Sequence, residues 1–401
     1  MSGWRYGTRG IVFVVVLLCS CHAAEMQKEW DGLAGSHPVT GKTMRNFDRV
    51  SSVSYSPDGS RLLIAGIRTG RGRHPDWALV YAAATFEELA SLPPTKADDR
   101  NFLSSADRVI SDPQGRVIIT AGVQVQETPG APQYFHELKV WDAKTFKLLW
   151  THPSGPGRDE AFNDAAVSPD GTTLVAVTNS LGFADQPGAE TVWVWDLKTW
   201  RLRTRFHGHH ATMRSPGQPP YLGSTSVCSV AFAPDGRTLA TCGYENRIRF
   251  WDAANEFREL DGLDGHTGAV MRLAYYPDGS RLVSASYDGT AIIWDLKTRK
   301  PAHTLKLKNV SQWKVDVAVS PDGKTIATAD NVEVRLWDTA TGEALETLAL
   351  PYPEASCVAF SPDGKYLAVG FDDLFPKKRG GGSDGVIQWV LADHKLREPS
   401  K

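Results

Sequence analysis

Seven copies of one turn signature dictate what this chain can fold into. They read Ser56-Pro57-Asp58-Gly59, Asp112-Pro113-Gln114-Gly115, Ser168-Pro169-Asp170-Gly171, Ala233-Pro234-Asp235-Gly236, Tyr276-Pro277-Asp278-Gly279, Ser320-Pro321-Asp322-Gly323 and Ser361-Pro362-Asp363-Gly364. Pro and Gly at those offsets close a tight turn between apolar, β-branched runs of hairpin length. The prolines lie 56, 56, 65, 43, 44 and 41 residues apart. The late copies therefore show a period of about 40 to 45 residues, and the early ones carry insertions. Residues 265–295 are the cleanest copy: three strands, two tight turns and a closing Trp294-Asp295, with room for a fourth strand from Pro301 to Lys308. The closing dipeptide returns as Trp141-Asp142, Trp195-Asp196, Trp251-Asp252 and Trp337-Asp338, and is worn to Val80-Tyr81 and Trp389-Val390 at the two ends.

In register, these turns and dipeptides resemble the WD-repeat (WD40) β-propeller family over roughly residues 45–395. The resemblance implies an all-β fold, a seven-bladed β-propeller of four-stranded antiparallel blades around a central channel. A single twisted sheet cannot bury both its faces, whereas neighbouring blades bury each other's. The expected blades run from Arg49 to Leu92, Asp107 to Thr151, Phe162 to Phe206, Val227 to Leu260, Val270 to Leu307, Lys314 to Leu348 and Ala355 to about Leu396. The last blade wants an outer strand. Gln27 to Leu33, His37 to Met44 and His394 to Glu398 compete to supply it.

Composition fits one large closed domain. Hydrophobic residues make up 41% of the 401, aromatics 10%, with 13 Trp, which excludes a disordered chain. A net charge of -2 argues against nucleic acid as a whole-protein partner. Residues 1–24 differ from the rest: Arg5 and Arg9, an apolar run from Ile11 to Leu18, then Cys19-Ser20-Cys21-His22-Ala23-Ala24. That order is an export signal, and its apolar run is too short for a transmembrane helix. Leu18-Cys19-Ser20-Cys21 also resembles a bacterial lipoprotein box, so lipidation of Cys21, plain cleavage near Ala23 or Ala24, and retention as a non-cleaved anchor all stay open. The expectation is an exported, bacterial-type member, periplasmic or extracytoplasmic, touching membrane only through a lipid anchor. Residues 25–44 then precede the propeller, 45–396, and 397–401 form a tail. Cys228, Cys242 and Cys357 show no metal-ligand spacing. Cys228 and Cys242 should point to opposite faces of their hairpin, which disfavours a disulfide.

The family resemblance implies a buried hydrogen-bonded set in each good copy: His266, Ser284 or Ser286, Asp288 and Trp294. The types suit a relay of acceptor, imidazole, hydroxyl and indole N–H, and its role is structural. Gly208-His209 resembles the same His ahead of blade four, but Glu245-Asn246 replaces the turn Asp-Gly, and the remaining blades lack a complete set. His207, His209 and His210 form no convincing metal site, since no carboxylate or Cys nearby completes it. No phosphate loop, metalloprotease helix or nucleophile elbow is present. No catalytic residue, metal or cofactor is expected.

Function is sought in the insertions. Between second and third strands these cover Arg68 to Asp76, Gln124 to Gln133, Ser180 to Ala189 and Asp372 to Asp384, and His209 to Ser226 adds to the same rim. Around a ring, blades seven, one, two and three are consecutive, so the loops make one arc, the usual mark of a partner site. Arg68, Arg71, Arg73 and His74 face Lys377, Lys378 and Arg379 across the closure, which favours an anionic partner: a protein surface, a polysaccharide or lipid head groups. The leading expectation is a non-catalytic interaction scaffold, monomeric alone, with another protein as partner. One alternative is an enzyme or redox-complex subunit working from the channel mouth through Asp185, Glu190, His209, Asp372 or Asp373. Another is a glycan or small-molecule binder using Trp77, Tyr134, Phe183, Tyr221 and Phe375 as stacking surfaces.

Overall fold

A computed structural model of the chain describes residues 49–67, 78–94, 102–126, 133–152, 161–179, 191–209, 212–213, 221–222, 226–308, 315–330, 332–348, 355–371, 385–391 and 395–396, all within one compact unit, Gly41–Lys401. Among them there is no α-helix, and the strands build a seven-bladed β-propeller of four-stranded antiparallel blades. Blade five sets the plan with Val270–Tyr275, Arg281–Ser286, Thr290–Asp295 and Lys300–Lys306, from channel to rim. The other inner strands are Arg49–Tyr55, Phe102–Ser111, Ala161–Val167, Val227–Phe232, Asp316–Val319 and Ala355–Phe360. Second and third strands are buried almost continuously, because a blade lies against each of their faces, while outer strands return to exposed residues.

Seven hydrophobic clusters among the described residues each join one pair of neighbouring blades. The pair seven and one is included, through Val50, Val53, Leu62 and Tyr81 with Cys357, Ala368 and Val386, so the ring is closed by packing. The aromatic residue closing each third strand always packs toward the preceding blade: Trp141 against blade one, Trp294 against blade four, Trp389 against blade six. Tyr81, where the first copy lacks Trp, does the same against blade seven.

The seven Pro-containing turns lie at one end of the channel. Each places its Gly at φ between +67° and +71°, where a Cβ is strained. The turns also touch: a Cβ on Gly115 would lie 3.6 Å from Pro57, one on Gly236 3.6 Å from Pro169, and one on Gly59 3.5 Å from Pro362, which carries the collar across the closure.

One detail departs from expectation, and one open choice is met by a strand within His394 to Glu398. The stretch Gln124 to Gln133 is sheet at both its ends: Val117–Gln126 and Gln133–Asp142 pair down to Gln126 opposite Gln133, leaving 127–132 as the connection. The inner strand lengthens with them and pairs Ser105 to Ile67, so blades one and two share one hydrogen-bonded sheet. In blade seven, Lys395–Leu396 pairs with Trp389 and Val390 as the outer strand. Residues 1–48, with both N-terminal candidates for that strand, and 397–401 lie outside the described residues.

Candidate functional site

In blade five the expected set is brought together. His266 Nδ1 lies 2.8 Å from Asp288 Oδ2, its Nε2 2.8 Å from Ser284 Oγ, and Trp294 Nε1 donates to the same hydroxyl at 2.8 Å. Of the two serines, Ser284 is the relay. Ser286 donates instead to the Gly268 carbonyl and accepts from the Asp288 N–H, bracing the turn. Burial keeps the His266 pKa below its usual range against the pull of Asp288, so the ring is neutral at neutral pH.

Blade four proves to hold a complete set in altered form. His209 Nδ1 lies 2.9 Å from Glu245 Oε2, its Nε2 3.0 Å from Thr241 Oγ1, and Trp251 Nε1 donates to Thr241 at 2.9 Å. Glu245 thus does the work of the turn Asp with one more methylene, and Arg249 grips its other side. Burial pushes the Glu245 carboxyl upward, but hydrogen bonds from His209 and Arg249 outweigh it and bring its pKa to about 2. Among the described residues blades two and six show the indole half, Trp141 to Thr120 and Trp337 to Thr328, both at 2.9 Å. His209, which the enzyme alternative needs, is buried and held on both ring nitrogens, so it is a structural group rather than an exposed base.

A second polar system, absent from the sequence reading, rings the channel. Residues five before each turn proline are Ser52, Arg108, Asp164, Ser229, Arg272, Asp316 and Cys357. In six of the blades a β-bulge accompanies this position, as at Val227/Ser229 and Val270/Arg272. Most bind the backbone of the next blade. The N–H of Val109 donates to Ser52 Oγ at 3.4 Å, that of Val230 to Asp164 at 3.1 Å, that of Leu273 to Ser229 at 3.4 Å and that of Val358 to Asp316 at 3.0 Å. Arginine cannot accept such a bond. After Arg108 and Arg272, therefore, Asp164 and Asp316 accept the N–H of their own following residues, at 2.9 Å each.

The arginines supply the opposite charge. Arg108 Nε lies 2.8 Å from Asp164, and Arg272 reaches both Asp164 and Asp316 at 3.5 Å. Burial disfavours the Arg272 cation, but the two carboxylates raise its pKa above the ordinary value. Asp164 also accepts from Ser229 Oγ at 2.8 Å, so its oxygens are occupied by structural partners. Cys357 breaks the series. Burial pushes its thiol up to about 12, and among the described residues no hydrogen bond joins it to Val53 of blade one. The cue in the sequence was a polar residue recurring within an apolar strand at one fixed offset.

The Asp of each Trp-Asp pair caps a turn. Asp142 Oδ1 accepts from Thr145 N at 2.6 Å, and Asp196, Asp295 and Asp338 repeat the bond to Thr199, Thr298 and Thr341. These bonds hold their carboxyls below the usual range. Cys242 pairs with Ser229 across the hairpin, and the three cysteines of the propeller are free and buried. Among the described residues no His, Cys, Asp and Glu are grouped for a metal ion.

The arc residues Arg68, Arg71, Arg73, His74, Lys377, Lys378 and Arg379 lie outside the described residues, as do Cys21, Asp185, Glu190, Asp372, Asp373, His210, Trp77, Phe183 and Phe375. Tyr221 falls in a two-residue strand, Tyr221–Leu222, paired with Thr212–Met213 within the insertion ahead of blade four. Tyr134 lies in the extended third strand of blade two.

Comparison with known proteins finds the WD domain, G-beta repeat family matching residues 218–252, 257–295 and 352–375. The second match joins the outer strand of blade four to three strands of blade five, so the sequence repeat is staggered by one strand from the blade. The chain is 27% identical over 251 residues to a periodic tryptophan protein 2 homolog of Dictyostelium discoideum, covering 61% of this chain and 24% of that protein. It is 30% identical over 189 residues to a nuclear distribution protein PAC1 of Arthroderma otae, 44% of this chain and 38% of that protein. An uncharacterized WD repeat-containing protein of Synechocystis is 31% identical over 146 residues, 36% and 41%. Each match spans less than half of the relative's length.

Proposed function

We propose that this WD-repeat propeller is a non-catalytic scaffold that binds another protein on the face carrying the second-to-third strand connections of blades seven, one, two and three. The observation that carries this is the inequality of the two ends of the channel. At the turn end all seven blades repeat one four-residue turn. At the other end the connections of blades four, five and six cover only 244–246, 287–289 and 330–333, against 68–77, 127–132, 180–191 and 372–384 in the other four. Length retained on one arc of a rigid ring is spent on contact rather than on folding. The occupied hydrogen bonding of Asp164, Asp316 and His209 supports a scaffold over an enzyme. Basic residues in two neighbouring connections favour an acidic surface on the partner.

Export of the chain is part of the proposal, supported by the charged, apolar and small-residue order of residues 1–24, with Cys21 as the lipidation candidate. The test is capture from native envelope fractions with the full chain. Substituting Arg71, Arg73, Lys377, Lys378 and Arg379 by Ala should deplete the captured partner at unchanged thermal stability. An unaltered set of captured proteins would sink the basic-arc reading.

A further inference from the structure

A second surface lies on the circumference of the ring, away from the looped face. Every outer strand is the edge of its sheet and leaves main-chain groups toward solvent. The chain guards these edges differently around the ring. Blade four shows exposed Glu256, Glu259, Asp261 and Asp264. Blades one and six each expose a leucine, Leu89 at 41% and Leu345 at 58%, but set it beside carboxylates, Glu87 and Glu88 in the one and Glu343 in the other. Blade five shows Lys297, Lys300 and Lys306 with no large apolar neighbour.

Blades two and three, side by side, expose leucines among cations alone. Their outer strands, Leu148–Thr151 and Arg201–Phe206, carry Leu148, Leu149 and Leu202 at 47, 48 and 43% exposure. Exposed Lys144, Lys147, Lys198 and Arg201 surround these leucines, and 143–151 and 197–206 contain no carboxylate. Asp142 and Asp196, next in line, are tied to Thr145 and Thr199. Beneath the surface Trp150 stacks on Trp200, ring centroids 6.1 Å apart and 18° from parallel, which fixes the spacing of the two edges.

We infer that this flank docks an extended acidic segment of another protein in which apolar residues alternate with carboxylates, added as a further strand along Arg201–Phe206. Alternation suits a strand, whose side chains divide between two faces: one meets the leucines, the other the cations. A lipid surface fits less well. The leucines are half-covered rather than projecting, and acyl chains offer nothing to the open N–H and C=O groups of an edge.

The test uses the full chain and a short fluorescein-labelled peptide alternating Glu with Leu, followed by anisotropy. Saturable binding is expected, weakening as salt rises. It should fall about tenfold or more in a Lys147→Glu, Arg201→Glu double variant, and likewise in Leu149→Ser, Leu202→Ser. Lys297→Glu with Lys300→Glu on blade five should leave it unchanged, as should the alanine substitutions on the looped arc, which separates this surface from the scaffold face. Equal binding by wild type and the blade-three variants overturns the inference. So does equal binding of a peptide alternating Lys with Leu. Binding to phosphatidylserine vesicles, lost in the same variants while the peptide fails to bind, also overturns it and assigns the flank to a membrane.

Discussion

His152 shows how far one side chain can couple this ring to pH. It sits between blades two and three with its ring against Phe162, Trp193 and Trp195 at 5.7, 5.5 and 5.6 Å. Burial lowers its pKa from 6.5 to about 4. In the unfolded chain the proton binds first, so stability present at neutral pH is lost as pH falls from about 6.5 through about 4. Allowing for partial exposure, the loss is on the order of 2 kcal/mol. His152→Phe should therefore flatten the urea midpoint between pH 7 and 4, and an unchanged pH dependence would refute this account. The same scale shows what residue identities reveal. The blade-five set was legible because each type matched its role. Blade four was disguised by two changes: Glu245 is longer than the Asp it replaces, and an insertion separates His209 from its strand. Gly208-His209 followed by Thr241 and Trp251 carried the same information in altered spelling.

At the scale of the element, the turns carry the strongest local constraint. Gly236 stands at φ +71° and the Gly236 N–H donates to the Ala233 carbonyl at 2.9 Å, without the Ser hydroxyl bond, since Ala233 replaces the usual Ser, though Asp235 still accepts from the Arg237 N–H at 2.9 Å. In blades one, three, six and seven that Ser accepts a backbone N–H at the start of the second strand, as Ser168 does from Thr173 at 2.9 Å. Gly236→Ala should lower stability by about 1 kcal/mol through backbone strain alone. Ser280→Ala, one residue beyond the turn Gly of blade five, is the comparison expected to cost less, and denaturant midpoints decide between them. Strand positions were legible from these turns because proline and glycine leave few alternatives. The length of the blade-two strands was not: Gln124 and Gln126 adjoin Glu, Thr, Pro and Gly and look like the start of a loop, until Phe102 and Ser104 of a lengthened inner strand pair with them.

For the whole molecule, the channel network decides how firmly the blades are held. Asp164 of blade three binds groups from blades two, four and five. Asp164→Asn keeps the shape but leaves two arginines short of a counter-charge, and should cost about 3 kcal/mol. Ser52→Ala, which removes one long neutral bond, should cost below about 1 kcal/mol. Unfolding monitored by tryptophan fluorescence compares them, and equal costs would show that the charges add nothing. Closure into seven blades could be counted from the sequence, because each copy is one blade's worth of apolar strand. The network could not, because its partners meet only once the ring exists and lie two blades apart in the case of Arg272 and Asp164. The one thiol in that circle, Cys357 beside blade one, has a mechanical meaning. A loop whose joints are all alike has no favoured place to fail. Among the described residues this loop has one joint, between its first and last blades, where neither the side-chain-to-backbone bond of the channel nor an ion pair links the inner strands, and where apolar packing and the bond from Gln388 to Tyr55 at 2.8 Å hold instead. Under heat or load it would come apart as a bracelet does at the clasp, into an open row whose exposed end sheets are those nearest the two chain ends.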